Sequence, residues 1–294
     1  MDRFALAAAN RLAGNQPDAP ALELTAGGVQ IRFGAPVLIG LAGADLQADL
    51  DDAPLAPWRS AIVPAGGVLR LRGRRGDWGG RVYLAIGGAL AAEWAIGSAG
   101  TCLASGFGGY QGRALRAGDR IAVHPRSFTA ADGMRWWPVG RRPAYCAQPR
   151  LRVLPGPQYD MLPEAWELLL QTTFQVDQAA SRQGYRLAGA SLPSHHHSLP
   201  SFGVAPGAIQ LPPDGRPILL LADSQTTGGY PVIATVIGAD LPLAAQLLPG
   251  DRLAFTATDL VTAHAALAEQ AAWLAAGPED DESGELLAQA GAIG

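Results

Sequence analysis

The feature that most limits how this chain can fold is the shortness of its apolar runs, most of them bounded by glycine, proline or other turn residues. Residues 21–24, 29–33, 37–41, 68–72, 82–86 and 120–123 follow one another in this way, and 151–154 and 217–221 repeat the pattern later. Runs of this length bounded by turn residues read as strands. With 37 Gly and 23 Pro and only 16% charged residues, the composition suits many short strands rather than a helical bundle. Helical periodicity is confined to three places. Residues 2–13 start at a capping Asp2 and stop at Gly14, residues 163–172 open on Pro163, and residues 259–276 form an Ala-rich amphipathic stretch ending at Gly277. The expectation is a mainly β protein with a few peripheral helices.

A weak internal repeat runs through the chain. Residues 115–123 match residues 247–255, each leading through a Gly-Asp turn, Gly118-Asp119 and Gly250-Asp251, into an alternating strand. Residues 64–71 are a looser copy. Two related barrels in tandem and a chance recurrence of a common turn both account for this pattern. The expected organisation is an N-terminal β half over 1–145, a second β half over 146–257, and a C-terminal helix with an acidic tail over 258–294. The proline-bearing stretch 125–149 would join the halves.

A net charge of −4 argues against a nucleic-acid partner, which needs a concentrated basic surface. All 22 basic residues are arginine. Without lysine the chain can neither form a lysine Schiff base nor carry biotin. Cys102 and Cys146 have no metal-ligand or redox spacing and fit a reducing compartment. No apolar run is long enough to span a bilayer, and Asn10 and Arg11 interrupt the apolar N-terminal stretch, so a cytoplasmic protein without a membrane partner is expected.

Chemistry concentrates where the run 217–221 ends in Ala222-Asp223-Ser224-Gln225-Thr226-Thr227-Gly228-Gly229-Tyr230-Pro231. Asp223 can accept a proton or hold an amide N–H. Gln225, Thr226, Thr227 and Tyr230 can hydrogen-bond an amide, and the two glycines allow close approach. A strand-end turn bonded only to its own backbone is the plainer alternative. Arg182 and Arg186 can grip a carboxylate or sit in surface ion pairs. Asp45 is a strand-end group or a turn residue. The stretch 106–113 fails the dinucleotide fingerprint, with Gln111 at the third glycine position, and reads as a structural turn. The basic stretch 70–77 reads as a solvated hairpin tip. His195, His196 and His197 are adjacent, a poor arrangement for one metal, so a loop and no metal site are expected.

The strand-end stretch and its flanks over 207–251 are similar to the biotin-dependent carboxyltransferase family, whose domain is also called allophanate hydrolase subunit 2. In order along the chain, residues 9–15, 41–45, 83–88, 108–113, 156–158 and 182–187 carry the same resemblance. The family includes the C subunit of ATP-dependent 5-oxoprolinase, KipA proteins and part of the urea carboxylase carboxyltransferase domain. Relatives begin earlier, so an upstream strand is expected to precede Met1. Ala99-Gly100, Gln183, Phe202 and Val232 depart from the usual residues. The resemblance implies tandem cyclophilin-like β-barrel halves and the conversion of 5-oxoproline to glutamate. Its partners would be the other two 5-oxoprolinase components, a KipI-like B component and an A component, with a small amide or lactam substrate and ATP acting through the complex. It also allows transfer of a carboxyl group from carboxybiotin, on a separate carrier, to an amide or urea nitrogen. A third reading is a KipA-like regulator that binds a KipI-like protein. Asp223 and Asp2 would be catalytic; Gln225, Thr226, Thr227, Tyr230, Asn10, Gln210, Arg182 and Arg186 would bind substrate.

Overall fold

The computed structural model describes residues 1–124, 126–194 and 199–280. The first strands are β1 (Leu22–Thr25), β2 (Val29–Arg32), β3 (Val37–Gly43), β4 (Ala48–Leu50), β5 (Ala53–Pro54), β6 (Arg59–Val63), β7 (Val68–Leu71), β8 (Arg81–Ile86) and β9 (Arg135–Trp136). They are followed by β10 (Arg150–Pro155), β11 (Thr173–Val176), β12 (Gly184–Ala188), β13 (Phe202–Gly203) and β14 (Ala208–Gln210). The last are β15 (Ile218–Leu220), β16 (Thr227–Gly228), β17 (Val232–Val236), β18 (Arg252–Ala257) and β19 (Glu279–Asp280). Helices are α1 (Arg3–Leu12), α2 (Pro163–Gln171), α3 (Leu241–Ala245) and α4 (Leu260–Ala276). The mainly β expectation and the three expected helices are borne out.

The chain divides into two compact units. One comprises Arg3–Arg75, Arg81–Arg142 and, among the described residues, 273–280. Its strands form a six-stranded sheet in the order β1-β8-β3-β6-β9-β19 and a four-stranded sheet, β2-β7-β4-β5. Ile39, Leu41, Leu69, Leu71, Val82 and Leu84 form the centre of its core. Helix α1 buries Phe4, Ala5, Ala8, Ala9 and Leu12 and packs on β3 and β8. Phe4 meets Trp137 edge-on, with ring centroids 6.0 Å apart.

The second unit takes in Met1–Asp2, Gly76–Gly80 and Pro143–Ala272. Its strands close into a barrel, β10-β17-β14-β15-β12-β11-β18, with β18 returning parallel to β10. Closure leaves no barrel strand with an unpaired edge. Alternation along β18 sends Leu253 and Phe255 inward, where they join Leu151, Val153, Phe174, Tyr185, Ile209, Leu219 and Ile233.

Two expectations need correction. Residues 120–123 form no strand; Val123 makes one bridge, to Leu90. Their alternation is present, with Ile121 and Val123 half-buried, but no strand lies alongside to extend a ladder. Helix α4 has the expected bounds but buries only Ala263, leaving Leu260, Val261 and Leu267 exposed. It is held at Ala263 and Ala266, against Ile237 and Ala239, and by Gln270 Nε2, which donates to the Ala239 carbonyl at 2.7 Å. Among the described residues no helix is long and apolar enough to cross a membrane.

Candidate functional site

Beyond the end of β15 the antiparallel pairing with the chain before β12 runs on. The Leu221 N–H donates to the Gln183 carbonyl and the Asp223 N–H to the Arg182 carbonyl, both at 3.0 Å. This register sets Asp223 opposite Arg182, whose guanidinium grips it with two donors. Nε reaches Oδ2 at 2.8 Å and Nη2 reaches Oδ1 at 3.2 Å. Both side chains remain about one third exposed, at 34% and 30%. A fork of this kind fixes the carboxylate plane and leaves its outer lone pairs open.

The chain then turns through Ser224 and enters a two-stranded ribbon, in which Gly203 faces Thr227 and Phe202 faces Gly228. Thr226, Thr227 and Tyr230 are exposed beside it. Gln225 is exposed as well, yet its Nε2 reaches inward to Gln210 Oε1 at 3.3 Å. Gln210 is 1% exposed, and its Nε2 is buried with no hydrogen-bond partner. Leaving such a donor unpaired costs about 1–3 kcal/mol. A register shift between Ile209 and Gln210 turns Gln210 to face Val232, one residue out of step with the rest of the β14–β17 ladder. Bulges of this type re-aim side chains.

The remaining candidates have other surroundings. Arg186 pairs with Asp214 at 2.5 Å in an exposed ion pair, so the two arginines hold different carboxylates. Asp2 is fully buried; its Oδ2 accepts from the Tyr145 hydroxyl and from Gln246 Nε2, each at 2.8 Å. Gln246 Oε1 in turn accepts the Gly80 N–H at 3.2 Å, and Trp78 stacks on Tyr145 with centroids 5.7 Å apart. Asn10 belongs to the other unit and is buried there. Its Nδ2 donates to the carbonyls of Pro17 and Ala19, and its Oδ1 accepts from Asn15. Asp45 behaves as a turn residue, accepting the Gln47 N–H at 2.8 Å.

The glycine-rich stretch is a structural turn. Arg113 donates to both oxygens of Asp119, at 2.7 and 2.8 Å, and lies over the Tyr110 ring. The Arg113 guanidinium, and then the Arg116 N–H, hold the Asp119 carboxyl down to about 2. In the basic stretch, Asp49 accepts from Arg70 and Arg72. Burial pushes the Asp49 carboxyl up, but these two guanidiniums outweigh it and the net shift is downward. His195, His196 and His197 lie outside the described residues, as does the acidic tail beyond Asp280. Among the described residues no three His, Cys, Asp or Glu side chains are grouped to hold a metal ion. Two surface concavities, one lined by Leu162–Ala165 and Pro193 and one by Arg11, Asn15, Gln16, Arg135 and Asp280 among others, include none of the candidate site residues.

Three polar residues around these groups were given no role of their own from the sequence. Gln246 interrupts the apolar run 241–248, and a lone polar residue there was the available signal. Gln158 Oε1 accepts the Val232 N–H at 2.9 Å, beside the bulge. Tyr145 carried no local signal, because its partner Asp2 is remote in sequence.

Comparison with known proteins places the chain in a group. The model of the carboxyltransferase domain, subdomain A and B, matches residues 1–257. The chain is 36% identical over 274 residues to the C subunit of 5-oxoprolinase from Escherichia coli, covering 92% of this chain and 85% of that protein. To a putative urea carboxylase of Emericella nidulans it is 34% identical over 275 residues, covering 88% of this chain and 22% of the relative. The crystal structure of the K. lactis urea amidolyase superposes with a TM-score of 0.84 at 26% identity, over 93% of this chain and 18% of that one. The chain therefore spans only about a fifth of the two urea-acting proteins.

Proposed function

The chain belongs to the carboxyltransferase family, subdomains A and B, and from that premise we propose that it is the C subunit of an ATP-dependent 5-oxoprolinase. The observation that carries this reading is the near full-length similarity to the C subunit of a 5-oxoprolinase, at 36% identity. Its substrate would be 5-oxoproline, a neutral lactam ring that carries one carboxylate. Asp223, fixed by Arg182, accepts a proton on its outer lone pairs, while Gln225, Thr226, Thr227 and Tyr230 supply hydrogen bonds around the lactam. Lactam opening requires activation of the carbonyl oxygen by phosphoryl transfer and then attack by water. The glycine-rich turn does not fit a phosphate, because Arg113 is already neutralised by Asp119. ATP is therefore assigned to the assembled complex, with the A and B components of the oxoprolinase as partners. Asp2 is enclosed by Tyr145 and Gln246 and receives no direct contact with substrate in this proposal.

Similarity to urea-acting proteins favours one second reading, transfer of a carboxyl group to an amide or urea nitrogen. With no lysine, this chain would take that group from biotin on a separate carrier. Co-purification with the A and B components and an assay for ATP-dependent glutamate formation separates the two. The complex should turn over 5-oxoproline and the chain alone should not. Asp223→Asn should lower turnover by about 10²-fold, the scale of a lost acid–base group, with little change in melting temperature. Robust turnover by the isolated chain would end the proposal that it works as one part of a complex. Activity that appears only with carboxybiotin would select carboxyl transfer.

A further inference from the structure

We infer that the unpaired amide end of Gln210 is a concealed hydrogen-bonding subsite for a cis-amide ligand, a lactam or a urea, and that the β13–β16 ribbon is its lid. The inference rests on the proposed function only for its choice of ligand class. Three independent features converge on Gln210. The β14–β17 bulge re-aims it out of ladder register. Its Nε2 is buried and unpartnered although the side chain is 1% exposed. Gly228 of the ribbon lies against that nitrogen so closely that a Cβ at Gly228 would collide with it.

A primary amide carries a donor and an acceptor on one edge. The acceptor of Gln210 holds a long 3.3 Å contact from the exposed Gln225, and the donor holds nothing. A lactam or urea presents C=O and N–H on one edge too, so it fits both ends at once. Its carbonyl accepts from Nε2, and its N–H replaces that of Gln225 at Oε1. A ketone satisfies only the first of these contacts. A ketone that displaces Gln225 leaves Oε1 without a donor, and a buried polar group left unpaired by the wrong ligand is what lets a site reject it.

Access requires the ribbon to move. It pairs only Phe202 with Gly228 and Gly203 with Thr227, extended by the Val204 N–H donating to the Thr226 carbonyl at 3.0 Å. A two-stranded element this short is marginal by itself and belongs to the low-stability end of a fold. The barrel strands beneath it are paired on both sides. The ribbon can therefore lift while Gln210 stays in place.

The full-length chain, ¹⁵N-labelled and titrated with 2-pyrrolidinone, tests this directly. The Gln210 side-chain NH₂ resonances should shift, and exchange of the Val204 amide should rise at least tenfold. Cyclopentanone should bind at least tenfold more weakly. Gln210→Met removes the amide at similar volume; it should weaken 2-pyrrolidinone binding at least tenfold without lowering the melting temperature, because it also removes an unpaired buried donor. Unchanged affinity per folded molecule overturns the inference, and so does binding that leaves the Gln210 NH₂ unmoved. Binding without faster Val204 exchange overturns the lid. In the assembled complex, Gln210→Met should raise the KM for 5-oxoproline at least tenfold. An active complex with unchanged KM sinks the subsite and leaves the proposed function standing. A Gln210-dependent response to 2-pyrrolidinone in a chain whose complex has no oxoprolinase activity does the reverse.

Discussion

The Gly118-Asp119 and Gly250-Asp251 turns are almost the same object, yet the chain behaves differently after each. Gly118 and Gly250 sit at φ +90° and +91°. Each aspartate N–H donates to the carbonyl three residues back, Arg116 at 3.1 Å and Leu248 at 3.0 Å. Each carboxylate accepts the N–H of that same residue, at 2.7 and 2.8 Å. After Asp251 the chain becomes β18, flanked by β10 and β11 and carrying Phe255 into the barrel core. After Asp119 it makes one bridge and no strand. A turn is closed by groups within four residues of one another, whereas a strand exists only where another stretch of chain lies alongside and continues the ladder. Similar local sequence therefore yields the same turn and different regular structure.

The largest test of this contrast is at the inward side chains. Phe255→Ala should destabilise by about 3–5 kcal/mol, the cost of an aromatic-sized core cavity. Val123→Ala, half-buried beside a single bridge, should cost about 1 kcal/mol or less. Urea unfolding measures both, and comparable losses would break the contrast. A smaller effect tests the shared part. A Cβ added at Gly118 or Gly250 meets nothing within 4 Å. Alanine at either position therefore incurs only the left-handed backbone strain, about 1–2 kcal/mol. The two costs should be equal; a clear inequality would mean that tertiary contacts already distinguish the turns.

The smallest effect is local and pH-dependent. Asp119 is held down to about 2 by Arg113 and the Arg116 N–H. Its unfolded counterpart titrates at about 4, so its contribution is fully present above that value and is lost as pH falls through about 2. Carboxyl ¹³C titration should place the midpoint near 2, and Asp119→Asn should speed exchange of the Arg116 amide at neutral pH. A midpoint near 4 would show that the pair with Arg113 does not form.

Most of what was legible in the sequence is of the turn kind. Short apolar runs located β1, β2, β3, β7, β8, β10 and β15, and capping residues bounded α1, α2 and α4. The polar end of β15 was visible because strand, turn and glycines are contiguous. The shortest pairings, β5, β9, β13 and β16, gave no signal, since two residues carry no periodicity. Arg182 and Arg186 looked equivalent; only the pairing register beyond β15 delivers one to Asp223 and leaves the other at Asp214. Asp2 looked like a simple helix cap, and its burial with Tyr145 and Gln246 depends on residues more than a hundred positions away.

By itself, then, the sequence determined the mainly β class, the positions of most long strands and helices, the two Gly-Asp turns and the family. Each rests on residues close together in the chain or on order along it. Tertiary structure alone decided which strands close into a barrel, which arginine holds Asp223, and that Gln210 keeps a buried donor unpaired. The physical reason is that alternation specifies which face a side chain occupies but not which distant strand lies opposite. A one-residue slip between β14 and β17 was enough to turn Gln210 out of its ladder register.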